Sequence, residues 1–145
     1  MAQHLVPTLH HLVDALDAYA DRLLAAHRYE LTFNQVVFLA VLQDVQPQDV
    51  TRLAECLRVS KAAVSKRVPG LVARGLVRSG TDPHNARRVV LSLTDDGARV
   101  VQEASALLDR ELGRLLAGRD GLDLDRTQAD LIAMLDAVRA QDADR

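Results

Sequence analysis

The sequence predicts a mainly α fold in which a helix-turn-helix and a two-stranded β-hairpin are flanked by N- and C-terminal helices. Three observations predict it. Apolar residues recur at helical spacing over most of the chain, period-two alternation is confined to residues 87–93, and eight basic residues against one acid, Asp82, lie between Arg58 and Arg88. The chain as a whole has 18 basic and 20 acidic residues, so this island carries net +7 and the remainder net −9.

Each element follows in order. From Leu5 to His27, a broad stripe of Leu9, Leu12, Val13, Leu16, Tyr19, Leu23 and Leu24 predicts a first helix. Thr32 with Gln35 three residues on is a capping box that opens a second helix through Val36 to Leu42. That run is β-branched enough for a strand to compete, and the capping box decides for a buried helix. Val50, Leu53, Ala54 and Leu57 give a short amphipathic helix with Asp49 as its N-cap, and Arg58-Val59 form a tight turn. Ser60 caps the next helix, whose stripe is Val64, Val68, Leu71 and Val72, with Gly75 at its C-terminal stop.

Inside that helix stand Pro69 and Gly70. An interior proline removes one hydrogen bond and crowds the preceding turn, so a kink is expected, with a base-reading half before it and a shorter half up to Arg74. The alternative is a helix that ends near Val68. Leu76 to Ser79, a turn-rich loop Gly80 to Ala86, and Arg87 to Leu93 predict the hairpin, with Val89, Leu91 and Leu93 on its inner face. Thr94 caps a long helix with Asp95 and Asp96 in its first turn, and its stripe from Val100 to Leu116 runs to Gly118. Asp125 with Gln128 makes another capping box, before a final helix with Leu131, Ile132, Leu135 and Val138 inward.

Projected at 100° per residue, the second helix of the helix-turn-helix offers Lys66 near the middle of its exposed arc, with Ala62, Ala63, Ser65 and Arg67 around it. A major-groove reader needs this mixture of long donors and small side chains that let the helix sink close to the bases. Ser60, Lys61, Ala62, Ala63, Ser65, Lys66 and Arg67 are therefore the candidate DNA-binding residues of the helix, and Asn85, Arg87 and Arg88 those of the hairpin. Double-stranded DNA is the expected partner.

These residues resemble a family. The stretch "VTRLAECLRVSKAAVSKRVPGLVARGLV" followed by "TDPHNARRVVLSLTDDG" is similar to the helix-turn-helix and wing of multiple-antibiotic-resistance-type (MarR-type) winged-helix transcriptional regulators, including the Leu-Thr-x-x-Gly run at Leu93 to Gly97. The resemblance implies a winged helix-turn-helix fold, a sequence-specific regulator that is most often a repressor, and Arg87 as the wing arginine that reaches the minor groove. The family usually has an aspartate two residues before that arginine; here the place is held by Asn85. The resemblance further implies a small aromatic or phenolic effector bound between the dimerisation helices and the DNA-binding lobe, for which His11 and Phe33 are the candidate contacts.

The expected organisation is one MarR-like unit over residues 1–145, with a DNA-binding lobe at 32–93 and dimerisation helices at 1–31 and 94–145. A small winged-helix core cannot cover the stripes of three peripheral helices, so the first and last are expected to pair with their copies in a homodimer on a pseudo-palindromic operator. The chain has no apolar run long enough to span a bilayer and no secretory h-region at its start. Its single cysteine, Cys56, excludes an intrachain disulfide, fits a reducing cytoplasm and is expected as a small packing residue rather than a redox switch. His10, His11, His27, His84 and Cys56 raise the question of a metal sensor, but no pair has the i, i+4 spacing of a helical clamp. No phosphate loop, nucleophile elbow or paired catalytic constellation appears, so neither an enzyme, a cofactor nor a metal is expected. The reading from another class is a winged-helix interaction module without specific DNA reading, which Pro69-Gly70 and Asn85 favour and Lys66, Arg67, Arg87 and Arg88 oppose.

Overall fold

The computed structural model describes residues 4–143. In chain order these form α1 (Leu5–Ala26), α2 (Phe33–Val45), β1 (Gln48–Asp49), α3 (Val50–Leu57), α4 (Lys61–Ala73), β2 (Val77–Asp82), β3 (Asn85–Leu93), α5 (Asp95–Leu116) and α6 (Leu124–Ala143). The chain divides into two compact units, residues 1–108 and 109–145, with the boundary inside α5. Within the first unit, α1 and the first half of α5 supply part of the core through Leu24, Val101 and Ala104. No helix among the described residues is long and apolar enough to cross a membrane.

The core of the first unit is built around Phe38, Leu24, Leu39, Leu42, Leu53, Val64, Leu71, Leu91 and Val101, all at most 1% exposed. Truncating a buried aromatic such as Phe38 to alanine costs about 3–5 kcal/mol. Among the described residues no polar or charged residue is buried. Its charged groups are thus left for the surface.

Local signals place the elements. The Thr32 hydroxyl accepts the Gln35 amide at 3.2 Å, and the Gln35 side chain accepts the Thr32 amide at 3.0 Å, which completes the expected capping box of α2. Asp49 Oδ1 accepts the Arg52 amide at 2.7 Å and opens α3. Ser60 Oγ accepts the Ala63 amide at 3.0 Å and opens α4. Between these helices Arg58 takes a left-handed conformation at φ 54°, and Val59 donates to the Ala54 carbonyl, closing the tight turn. At the far end of α4, Gly75 at φ 70° donates to Val72 and Leu76 donates to Leu71, the pair of bonds of a Schellman stop. Helix α4 runs unbroken through Pro69, so it does not end near Val68.

Several expectations need correction. The hairpin carries a two-residue turn, Pro83-His84, in place of a loop from Gly80 to Ala86. Antiparallel pairing continues outward to Thr81↔Val89 and Asp82↔Asn85, with an irregularity between Thr81 and Asp82 absorbing the unequal strand lengths. A third strand, β1, pairs with β3 through Gln48↔Leu91 and Asp49↔Val90, giving the sheet order β1-β3-β2. Leu91 and Leu93 are buried, whereas Val89 is 51% exposed because the hairpin extends past the core. Val72 is exposed, unlike Val64 and Leu71, since it lies at the edge of the α4 stripe. Cys56 is exposed rather than packed.

In the second unit, the end of α5 and α6 flank an apolar groove lined by Leu112, Leu116, Leu124, Leu131, Ile132 and Leu135. The connection between the helices passes through Gly118 and Gly121, both at positive φ. Asp123, not Asp125, begins α6: its Oδ1 accepts the Arg126 amide at 3.0 Å, and Asp125 lies inside the first turn. Leu131, Ile132, Met134, Leu135 and Val138 remain 42–60% exposed.

Candidate nucleic-acid interface

Two elements of the first unit carry the candidate site. Helix α4 is anchored through Val64 and Leu71, which turns Lys61, Ala62, Ser65 and Lys66 outward, while Ala63 and Arg67 are half-buried at the flanks. Ser60, the remaining candidate of this helix, has its hydroxyl committed to the N-cap. At the start of a helix, unpaired amides and the dipole attract anions, so a cap beside Lys61 favours a phosphate. The exposed face of α4 is thus shallow, with cations standing among alanines and a serine.

The hairpin carries the second group. Asn85 Oδ1 accepts the backbone amide of Arg87 at 3.1 Å, so the carboxamide shapes the turn and does not hold the guanidinium. Arg87 is exposed, and its side chain makes no hydrogen bond or ion pair among the described residues. The same holds for Lys61 and Lys66. These three cations are available to a ligand.

Arg88 is placed differently. Its Nε donates to Asp49 Oδ2 at 2.6 Å, its Nη1 to Asp82 Oδ2 at 3.0 Å and its Nη2 to Gln48 Oε1 at 3.4 Å. The Arg52 amide and then the Arg88 guanidinium hold the Asp49 carboxyl below its ordinary range. The His84 amide and then Arg88 do the same for Asp82. Hydrogen bonding to Asp49, ahead of Asp82, raises the Arg88 pKa in turn. Expected at the DNA surface, Arg88 has its donors directed into the protein. Sequence reading missed this because its partners at 48 and 49 lie 40 and 39 residues away; only the β1 pairing brings them to β3.

The two candidate effector contacts, His11 and Phe33, stand in different surroundings. His11 is exposed on α1, while Phe33 is half-buried against the core and its amide donates to Asp21 Oδ1 at 2.6 Å. A cleft near the start of α2 is lined instead by Asp21, Ala25, Tyr29, Glu30, Leu31, Thr32 and Gln35. Among the described residues no group of three or more His, Cys, Asp or Glu is arranged to hold a metal ion.

The chain is similar to known proteins over this region. The HTH-type transcriptional repressor NicR of Pseudomonas putida is 32% identical over 93 residues, which are 61% of this chain and 59% of that repressor. The match therefore spans about three fifths of the relative's length. Among solved structures, Streptococcus pneumoniae FabT in complex with DNA aligns over the whole of both chains with a TM-score of 0.77 at 12% identity. Bordetella bronchiseptica BpsR, whose DNA binding is regulated by 6-hydroxynicotinic acid, aligns over 98% of this chain and 95% of its own with a TM-score of 0.72 at 20% identity. At such identities the structures establish a shared winged-helix fold. The model of the MarR family matches residues 29–88, from the connection after α1 to Arg88 on the hairpin. Over that stretch the winged-helix lobe of this chain is similar to the MarR family.

Proposed function

We propose that this protein is a cytoplasmic transcriptional repressor that reads an inverted-repeat operator as a homodimer and releases it when a small aromatic effector binds. The observation that carries the reading is one compact unit presenting both the Lys61, Ala62, Ser65 and Lys66 face of α4 and the uncommitted Arg87 of the hairpin. The first suits a major groove, where long donors and small neighbours read base edges. The second suits a narrow minor groove, whose enhanced negative potential attracts arginine.

The relatives add support at three points. FabT was solved with DNA, NicR is named a repressor, and the DNA binding of BpsR responds to 6-hydroxynicotinic acid. The apolar residues of α6, from Leu131 to Val138, and Leu5, Val6, Leu12 and Val13 of α1 stay exposed in a single chain, which favours their burial between two copies. His11 and Phe33 remain the proposed effector contacts.

The test is binding of purified protein to an inverted repeat beside its own promoter, followed as a function of salt. Two protomers per duplex, with affinity falling steeply as salt rises, are expected. Affinity no greater than for random duplex would overturn the reading.

A further inference from the structure

We infer that Arg88 is a positioning residue that clamps the hairpin to the start of the helix-turn-helix and thereby aims Arg87, an inference that rests on the DNA reading above. Its guanidinium meets acceptors from the start of β1 (Gln48), the N-cap of α3 (Asp49) and the end of β2 (Asp82). Both carboxylates already have a local task. Asp49 Oδ1 caps α3 through the Arg52 amide, and Asp82 Oδ1 accepts the His84 amide in the hairpin turn. Each offers its second oxygen to Arg88. One planar cation thus joins the carboxylate that starts the first helix of the motif to the carboxylate that closes the hairpin tip.

Little else holds this part of the hairpin. Residues 78–81 of β2 and 85–89 of β3 are exposed, so the buried core stops short of it. The Asp49 and Asp82 side chains are only 22% and 12% exposed, and that of Arg88 is 43% exposed, so the clamp is shielded more than an ordinary surface pair. Arg87 is the neighbouring residue, and its guanidinium makes no hydrogen bond or ion pair among the described residues. A lysine at position 88 could supply charge but not the planar fork that reaches three acceptors.

The experiment compares the parent with Arg88→Gln, Arg88→Lys and Asp82→Asn, reading amide hydrogen exchange over residues 85–90 and operator affinity as a function of salt. Loss of two partly shielded ion pairs should speed exchange there by about threefold to tenfold in Arg88→Gln, with Arg88→Lys intermediate. Operator affinity should fall by a similar factor while the salt slope stays unchanged. Asp82→Asn keeps an oxygen for the His84 amide, so the turn survives. It should also weaken binding, although removing an acid from a phosphate-facing surface would by charge alone strengthen it. Unchanged exchange in Arg88→Gln, a salt slope reduced by about one, or tighter binding by Asp82→Asn would each overturn the clamp. A parent that binds no duplex would sink the DNA reading instead, and exchange would then decide the clamp alone.

Discussion

Gly97 lies directly against the carbonyl of Leu76: a Cβ at position 97 would stand 2.0 Å from that oxygen and 2.9 Å from its carbon. The oxygen cannot retreat freely, because it also accepts the Thr94 amide at 3.1 Å. This contact gives the glycine of the Leu-Thr-x-x-Gly run a physical reason. Gly97→Ala should destabilise the protein by about 3 kcal/mol, at the upper end of overpacking costs, measured by denaturant unfolding. A variant of parental stability would mean that α5 can slide away from β2 without loss.

Arg87 and Lys66 should fail differently. Arg87→Ala is expected to lower operator affinity by about 1–3 kcal/mol and to flatten any preference for A·T-rich flanks. Lys66→Ala should relax the preference at one position of each half-site if the ammonium meets a base edge. If it meets phosphate alone, binding should weaken on every sequence and the salt slope should shrink by about one. Full affinity in both variants would remove α4 and the hairpin from the interface.

Pro69 and Gly70 are exposed and lie within a continuous helix, and a Cβ on Gly70 would meet nothing within 4 Å. Pro69→Ala restores the donor that the Ser65 carbonyl lacks and should raise stability by up to about 3 kcal/mol, while Gly70→Ala should add up to about 1 kcal/mol. Thermal unfolding of the two variants is the check. A melting point below the parent's would show that the backbone there departs from what alanine prefers.

The clamp should be insensitive to mild acid. Asp49 is depressed by the Arg52 amide and then Arg88, and Asp82 by the His84 amide and then Arg88. Folded values below the unfolded ones mean that their stabilisation is present above about pH 4, the ordinary carboxyl range, and is lost as pH falls through the depressed folded values. Exchange-sensitive order in the hairpin should therefore hold from pH 7 to pH 5 and decline only in stronger acid. A loss already complete at pH 5 would show that these two carboxylates do not hold the hairpin.

Leu131 and Leu135 are 43% and 46% exposed in the single chain, so a charge at either is inexpensive for the monomer. Buried between two protomers, the same charge would cost several kcal/mol. Leu131→Asp and Leu135→Asp should retain helicity, sediment as monomers at micromolar concentration and lose high-affinity operator binding. Variants that remain dimeric would place the subunit contact elsewhere.

Legibility followed interaction range. Caps at Thr32, Asp49, Ser60 and Thr94 and the stop at Gly75 are set within a few residues, and each stood where the residue pattern had placed it. Strand β1 is two residues long, too short for any alternation, and exists because β3 offers it a partner. The same limit hid the partners of Arg88. The α6 cap was misplaced because Asp123 and Asp125 both precede an apolar run, and only backbone geometry distinguishes them. Cys56 looked like core from its place at the edge of a stripe, but the small α3 covers only Leu53 and Ala54 fully.

Thr94 ties three chain segments at one point. Its hydroxyl donates to the Gly75 carbonyl and accepts the Gly97 amide at 3.0 Å, while its own amide donates to Leu76. The start of α5 is therefore tied to Gly75 and Leu76, the stop that follows α4. Any tilt at the start of α5 must drag the segment that ends α4 or break these bonds.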